Sequence, residues 1–246
     1  MSDFGPSQVA LGLFYDHSGQ DLFENSSPSV LNTMGLSVDY APWPYVAIGV
    51  FGGAAEFDVD VPDYLVDDTA AKGFNTSLSF YGGGSAKLAT PRFVGGTTRL
   101  VAYGSAGWVD ATDDFDNEKR GLMCNAGGSL QFLTWGRLNF VLGGEFQALV
   151  LGEQTSSLNT EPEPFGLAAP VGAMDYFRGL VGIEYNFKGK NQPFISVAFR
   201  PTGATNWHDN LGIRNASISV VLGAIATLPG TGVSQVQEEE PGMSED

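Results

Sequence analysis

Carboxylates crowd two stretches of the chain, DVDVPDYLVDD at 58–68 and DATDDFDNE at 110–118. Oxygen-rich clusters of this kind hold Ca²⁺ or Mg²⁺ when their geometry converges. Asp58, Asp60, Asp63, Asp67 and Asp68 are therefore a candidate divalent-cation loop. Neither stretch has the spacing of an EF-hand, which needs glycine at its sixth position and a late glutamate. The competing reading is a solvated loop whose charges repel one another. His208 and Asp209 in NWHDN are the other acid–base candidates, while His17, beside Asp16, reads as a loop residue. LPGTG at 228–232 matches the LPxTG sorting pattern, but an acidic tail follows it where an apolar helix should stand, so the match is chance. The one cysteine, Cys124, excludes an internal disulfide, and no spacing suggests zinc. The triple glycine at 82–84 lacks the Lys-Ser/Thr pair of a phosphate loop. No cofactor is expected, and no enzyme.

Composition narrows the partners. The 28 acidic and 12 basic residues leave a formal charge of −16, which argues against nucleic acid as a partner. Charged residues make up 16% of the chain, below the roughly 25% of an average soluble domain. No apolar run reaches the length of a membrane-spanning helix. The opening MSDFGPSQ lacks the basic start and apolar core of an export leader. An exported protein with this start is expected to be a mature or engineered form.

What must position these residues is a set of strands. Helical periodicity is hard to find, and two-residue alternation is widespread. It predicts ten strands, at 8–16, 30–41, 45–58, 75–90, 97–111, 120–134, 137–151, 175–188, 192–201 and 213–228. Short links (PWP, PRFVGG, WG and GKN) alternate with longer ones that carry many acids. That rhythm predicts an all-β, antiparallel, up-and-down transmembrane barrel, with short periplasmic turns and longer extracellular loops. An eight-stranded barrel is the alternative. An even strand count puts both termini on the periplasmic side, with a barrel over 1–228 and an acidic disordered tail or linker over 229–246.

The two faces of the strands differ in chemistry. One carries Val9, Leu11, Leu13, Met34, Leu36, Val38, Tyr40, then Tyr45, Ala47, Gly49, Phe51, and onward to Ile218, Val220 and Leu222, uninterrupted by charge in mid-strand. This face is expected to meet lipid. The opposite face carries thinly spread groups of mixed sign. Of these, Asp39, Lys87, Arg99, Glu145, Arg178, Glu184 and Arg200 are expected to form an interior polar network that plugs the lumen, because unpaired charge there is costly. Tyr40, Trp43, Tyr45, Trp108, Trp135 and Tyr185 gather toward strand ends, as aromatic girdles at membrane interfaces do. Small residues, among them Gly49, Gly82, Gly84, Gly104 and Gly128, cluster mid-strand on the expected lipid face. They make a candidate patch for a homo-oligomer or a partner protein, since small surfaces allow close approach; barrel curvature is the alternative use of glycine.

On this architecture, rather than on any diagnostic motif, residues 8–228 resemble the small outer-membrane barrels of Gram-negative bacteria, the OmpA-like and opacity-like group. The resemblance implies an outer-membrane location and contact with lipid and lipopolysaccharide, whose phosphates the acidic loops can meet through divalent cations. It implies a structural, anchoring or surface-contact role. A narrow, porin-like channel for ions or small solutes and a soluble ligand-binding barrel are the alternatives. The omptin proteases are similar in strand number and in an Asp–His pair near the rim, and Asp58 and Asp60 would be the paired acids. Here, however, His208 and Asp209 are adjacent, whereas that family separates the two by one residue.

Overall fold

The computed structural model describes residues 7–21, 28–59, 79–112, 118–134, 137–156, 159–165, 177–188, 192–202 and 215–227. The strands are β1 (Gln8–Asp21), β2 (Pro28–Trp43), β3 (Val46–Val59), β4 (Ser79–Ala89), β5 (Thr98–Thr112) and β6 (Glu118–Thr134). They continue as β7 (Leu138–Ser156), β8 (Asn159–Phe165), β9 (Phe177–Asn186), β10 (Pro193–Thr202) and β11 (Asn215–Thr227).

Each barrel strand pairs antiparallel with its neighbours, and β1 pairs with β11 to close the ring. Closure leaves no unpaired edge, which a lipid environment would not satisfy. Ten strands form the wall, as the alternation predicts, and the eight-stranded alternative is excluded. The short β8 is an addition to the expected set. It pairs only with the far end of β7, as a hairpin outgrowth of the wall. Gln8 faces both Ala41 and Thr227, so the two ends of the barrel sequence lie together at the short-turn end.

Alternation sets the faces as the pattern predicts on every wall strand but one. Exposed apolar side chains ring the outside, with Leu36 65%, Val50 63% and Leu142 55% exposed. On β2 the apolar run from Met34 to Trp43 covers roughly 30 Å of strand, or about 23 Å along the axis for a tilt near 40°. Polar groups mark its limit toward the long loops. There, Arg120 pairs with Asp110 at 3.2 Å and with Glu118 at 2.5 Å. His17 lies in β1 rather than in a loop, and its Nδ1 is 2.8 Å from Asn32 Oδ1.

The exception is β3. Ala47 is buried, Phe51 packs edge-on against Phe14 in the lumen, and a Cβ at Gly49 would strike Asp39. Ile48 and Val50 point outward instead. The expected lipid face of Ala47, Gly49 and Phe51 is therefore corrected by one residue, and Gly49 leaves the small-residue patch. The cause is the turn. Tyr45 adopts φ 69° in the link, β3 starts at Val46, and the register slips between the Tyr40–Ile48 and Trp43–Val46 pairs. A one-residue slip transfers a whole strand to the other face.

Glycine permits the close passages. A Cβ at Gly83 would sit 2.0 Å from the Ala106 carbonyl, and one at Gly143 would sit 2.2 Å from that of Gly128. Both are curvature sites, where strands approach too closely for a side chain.

Candidate functional site: the charged lumen

Inward positions of a ten-stranded barrel meet across a narrow bore, so side chains fill much of it. At mid-height, β7, β9, β10 and β1 bring Glu145, Arg178, Arg200 and Asp16 together. Arg178 donates to Glu145 Oε1 at 2.5 Å, and to Ser18 and Ser217 hydroxyls at 3.1 and 3.3 Å. Arg200 donates to Asp16 Oδ2 at 3.1 Å and to Ser219 Oγ at 2.6 Å, and its Nε lies 3.2 Å from Glu145 Oε1. Tyr103, reaching across Gly127 from β5, donates to Glu145 Oε2 at 3.0 Å. Glu145 thus touches two guanidinium groups and one phenol while 4% exposed, an arrangement that keeps its charge compensated.

A second pair lies nearer the short-turn end, where Lys87 contacts Asp39 at 2.6 Å and Ser85 donates to the same carboxylate. Below it is a polar floor. Arg99 donates to Gln131 at 2.8 Å, and Asn139 and Asn186 each donate to Glu184 Oε1 at 3.4 Å. Arg92 folds back from the β4–β5 link to donate to Asn139 Oδ1 at 3.2 Å, spanning β5 and β6. All seven residues expected in the interior network therefore face the lumen, but in separate layers. Asp16 and Arg92 belong with them and were not anticipated there, and Tyr103, which alternation puts on the polar face, joins them. Asp16 was assigned to the last position of its strand, whereas β1 continues to Asp21. Alternation already placed Tyr103 on the polar face, and its contact with Glu145 follows from closure. No local signal marks Arg92.

The wall formed by β2 to β6 is different. Leu31, Ala55, Phe57, Tyr81, Val109, Ala111 and Met123 make an apolar cluster inside the barrel, extended by Phe14 and Phe51. The rings of Phe51 and Tyr81 are tilted at 5.2 Å, and Phe14 meets Tyr81 edge-on at 6.2 Å. Lys119 lies 5.7 Å over the Phe57 ring, a cation–π contact. The upper lumen is therefore two-sided, with the Glu145 cluster across β7 to β1 and the rings across β1 to β6, the Lys87–Asp39 pair lying lower on the ring-bearing side, and a cavity of about 260 Å³ lies between.

On the outside, Trp43 and Tyr45 are exposed at the short-turn end, and Tyr185 stacks edge-on with Phe187 at 4.9 Å. Tyr40 shares their face, with Val9 and Ile48 opposite it. Trp108 is exposed toward the long loops, and Trp135 lies outside the described residues. Gly82, Gly84, Gly104 and Gly128 face outward, and the register sets Gly84 beside Ala106, Gly104 beside Ala126, and Gly128 beside Gly144. Asp60, Asp63, Asp67, Asp68, His208 and Asp209 lie outside the described residues, as does the side chain of Asp58. Among the described residues, no group of His, Cys, Asp and Glu is arranged to hold a metal.

Comparison with family models and with curated proteins finds no match. Among solved structures, the NanC porin in a rhombohedral crystal form is similar at 9% identity, over 89% of this chain and 99% of that one. Its TM-score is 0.34, a level at which likeness supports no inference about function.

Proposed function

We propose that the chain is a non-enzymatic integral protein of the bacterial outer membrane, with a structural, anchoring or surface-contact role. The observation that carries the reading is the belt of exposed apolar side chains around a closed wall whose ion pairs at belt height are inside, those of Arg120 lying beyond the belt toward the long loops. A barrel made for water would hold the opposite arrangement, so the soluble ligand-binding alternative finds no support. In this reading Trp43, Tyr45 and Tyr185 mark the periplasmic interface, and both ends of the barrel sequence lie on that side. The acidic long loops then face outward, toward lipopolysaccharide, divalent cations or a partner protein. The outward small-residue stripe on β4 to β7 is the natural contact for a second barrel.

In this reading the polar groups that fill much of the bore separate the role from conduction. The Glu145 cluster and the polar floor occupy two levels of the bore. The axial cavity favours the runner-up, a narrow channel for ions or small solutes. Planar-bilayer recording decides between them: insertion without conductance steps is the expected result, and resolved steps would establish the channel. Loop contact has its own check. Replacing Asp60, Asp63, Asp67 and Asp68 by Asn should weaken Ca²⁺-dependent binding of lipopolysaccharide micelles while the barrel still forms.

A further inference from the structure

The cavity between the two lumenal walls has a composition that selects a guest. Its charged lining is paired within itself: Lys87 with Asp39, Arg178 with Glu145, and Arg200 with Asp16 and Glu145. An ionic guest would break that balance, so an uncharged one is favoured. Across from the Arg178 and Arg200 pairs, and above Lys87–Asp39 on the same wall as that pair, Phe14, Phe51, Tyr81 and Met123 offer an apolar, ring-lined surface. Hydrogen-bonding capacity remains in the lining. Arg178 Nε and Asn125 Oδ1 are buried without a hydrogen-bond partner, although Arg178 donates to Ser18, Ser217 and Glu145 through its other nitrogens and Asn125 Nδ2 donates to Ser105 Oγ at 3.3 Å. Arg200 Nε is also without an aligned acceptor, despite lying 3.2 Å from Glu145. Buried polar atoms left in this state carry a cost that a guest relieves.

We propose that this cavity is a binding site for one small, uncharged amphipathic molecule. Its ring or alkyl face packs on Phe14, Phe51 and Tyr81, and the Arg178 and Asn125 side chains, whose Nε and Oδ1 are fully covered in this structure, turn toward it so that an acceptor oxygen takes the Nε hydrogen and an N–H or O–H meets Oδ1. An apolar cavity of about 150 Å³ holds benzene. By that measure, 260 Å³ holds a molecule of about ten non-hydrogen atoms. The Arg99–Gln131 and Arg92–Asn139–Glu184 floor lies between the cavity and the short-turn mouth and obstructs entry of the guest from that end. This role is additional to surface contact and rests on the closed barrel alone.

Benzamide, which carries a ring, a carbonyl oxygen and an amide N–H, is a suitable probe. Titrated into the full chain in detergent micelles and followed by saturation-transfer NMR, it should bind saturably. Benzoate and benzylammonium should bind at least tenfold more weakly. Met123→Trp, which fills the cavity, and Asn125→Leu, which removes the acceptor, should each weaken benzamide by tenfold or more. Folding of both variants is checked by the mobility of unheated samples in gels. Non-saturable benzamide binding, equal binding of the charged analogues, or unchanged binding in folded Met123→Trp would each overturn the proposal, leaving solvent as the cavity's content. Micelle binding and bilayer conductance are independent readouts, so failure of one is distinguishable from failure of the other.

Discussion

Glu145 is the residue on which the most charge depends. Its carboxylate contacts Arg178, Arg200 and Tyr103, and of these Arg200 also reaches a second carboxylate, that of Asp16. Replacing it with Gln leaves two guanidiniums short of a counter-charge. The expected loss is about 3 kcal/mol, at the low end for breaking a buried pair because Asp16 still holds Arg200. Tyr103→Phe removes one hydrogen bond to a charged group and should cost about 1.5 kcal/mol. Urea titration of the reconstituted barrel measures both, and equal small losses would show the cluster to be solvent-screened. The charges themselves were legible in the sequence, because a charge interrupting an alternating strand has to face away from lipid. Which charge meets which was not, since Glu145 and Arg200 lie far apart in the chain and meet only when the sheet closes.

At the scale of the element, β3 carries the sharpest test. Tryptophan at Val50 should be quenched by lipids with brominated acyl chains, while tryptophan at Phe51 should be protected. The reverse order would restore the unslipped register. The glycines divide in the same way. Gly83→Ala drives a Cβ toward the Ala106 carbonyl and should destabilise the barrel, by about 1–3 kcal/mol in the range of overpacked sites. At Gly84 and Gly104 a Cβ meets nothing nearer than 3.6 and 3.4 Å, so Leu is accepted there without strain in the wall. If the small-residue stripe is an oligomer contact, Gly84→Leu with Gly104→Leu should abolish crosslinked species while the barrel still folds. Persistence of those species would assign the stripe to curvature alone. Sequence located the small residues but mixed the two classes, because facing and close approach both depend on the neighbouring strand.

For the whole molecule, the geometry combines an apolar exterior with a compensated interior. A charge placed on the belt should therefore cost more than one placed inside. Leu142→Arg, near mid-belt, is expected to lose about 2–4 kcal/mol in bilayers. Arginine at Ser85 faces the cavity beside the Asp39 carboxylate and should cost less. Folding into vesicles of uniform lipid measures the difference, and equal costs would contradict a lipid-covered belt.

A ten-stranded wall, its antiparallel order, the clustering of the ends and the apolar exterior of every wall strand but β3 were legible in the sequence, while the eight-stranded alternative and β8 were left to the structure. Each legible feature follows from a period of two residues and from the lengths of links, which are local properties of a chain. Three things were decided only by tertiary structure: the face of β3, the membership of Asp16 and Arg92 in the lumenal layers with the contact of Tyr103 to Glu145, and the cavity with its unpaired Arg178 and Asn125 atoms. The physical reason is common to them. Register passes through a turn whose backbone can absorb one residue, and closure brings together side chains that sequence separation keeps apart.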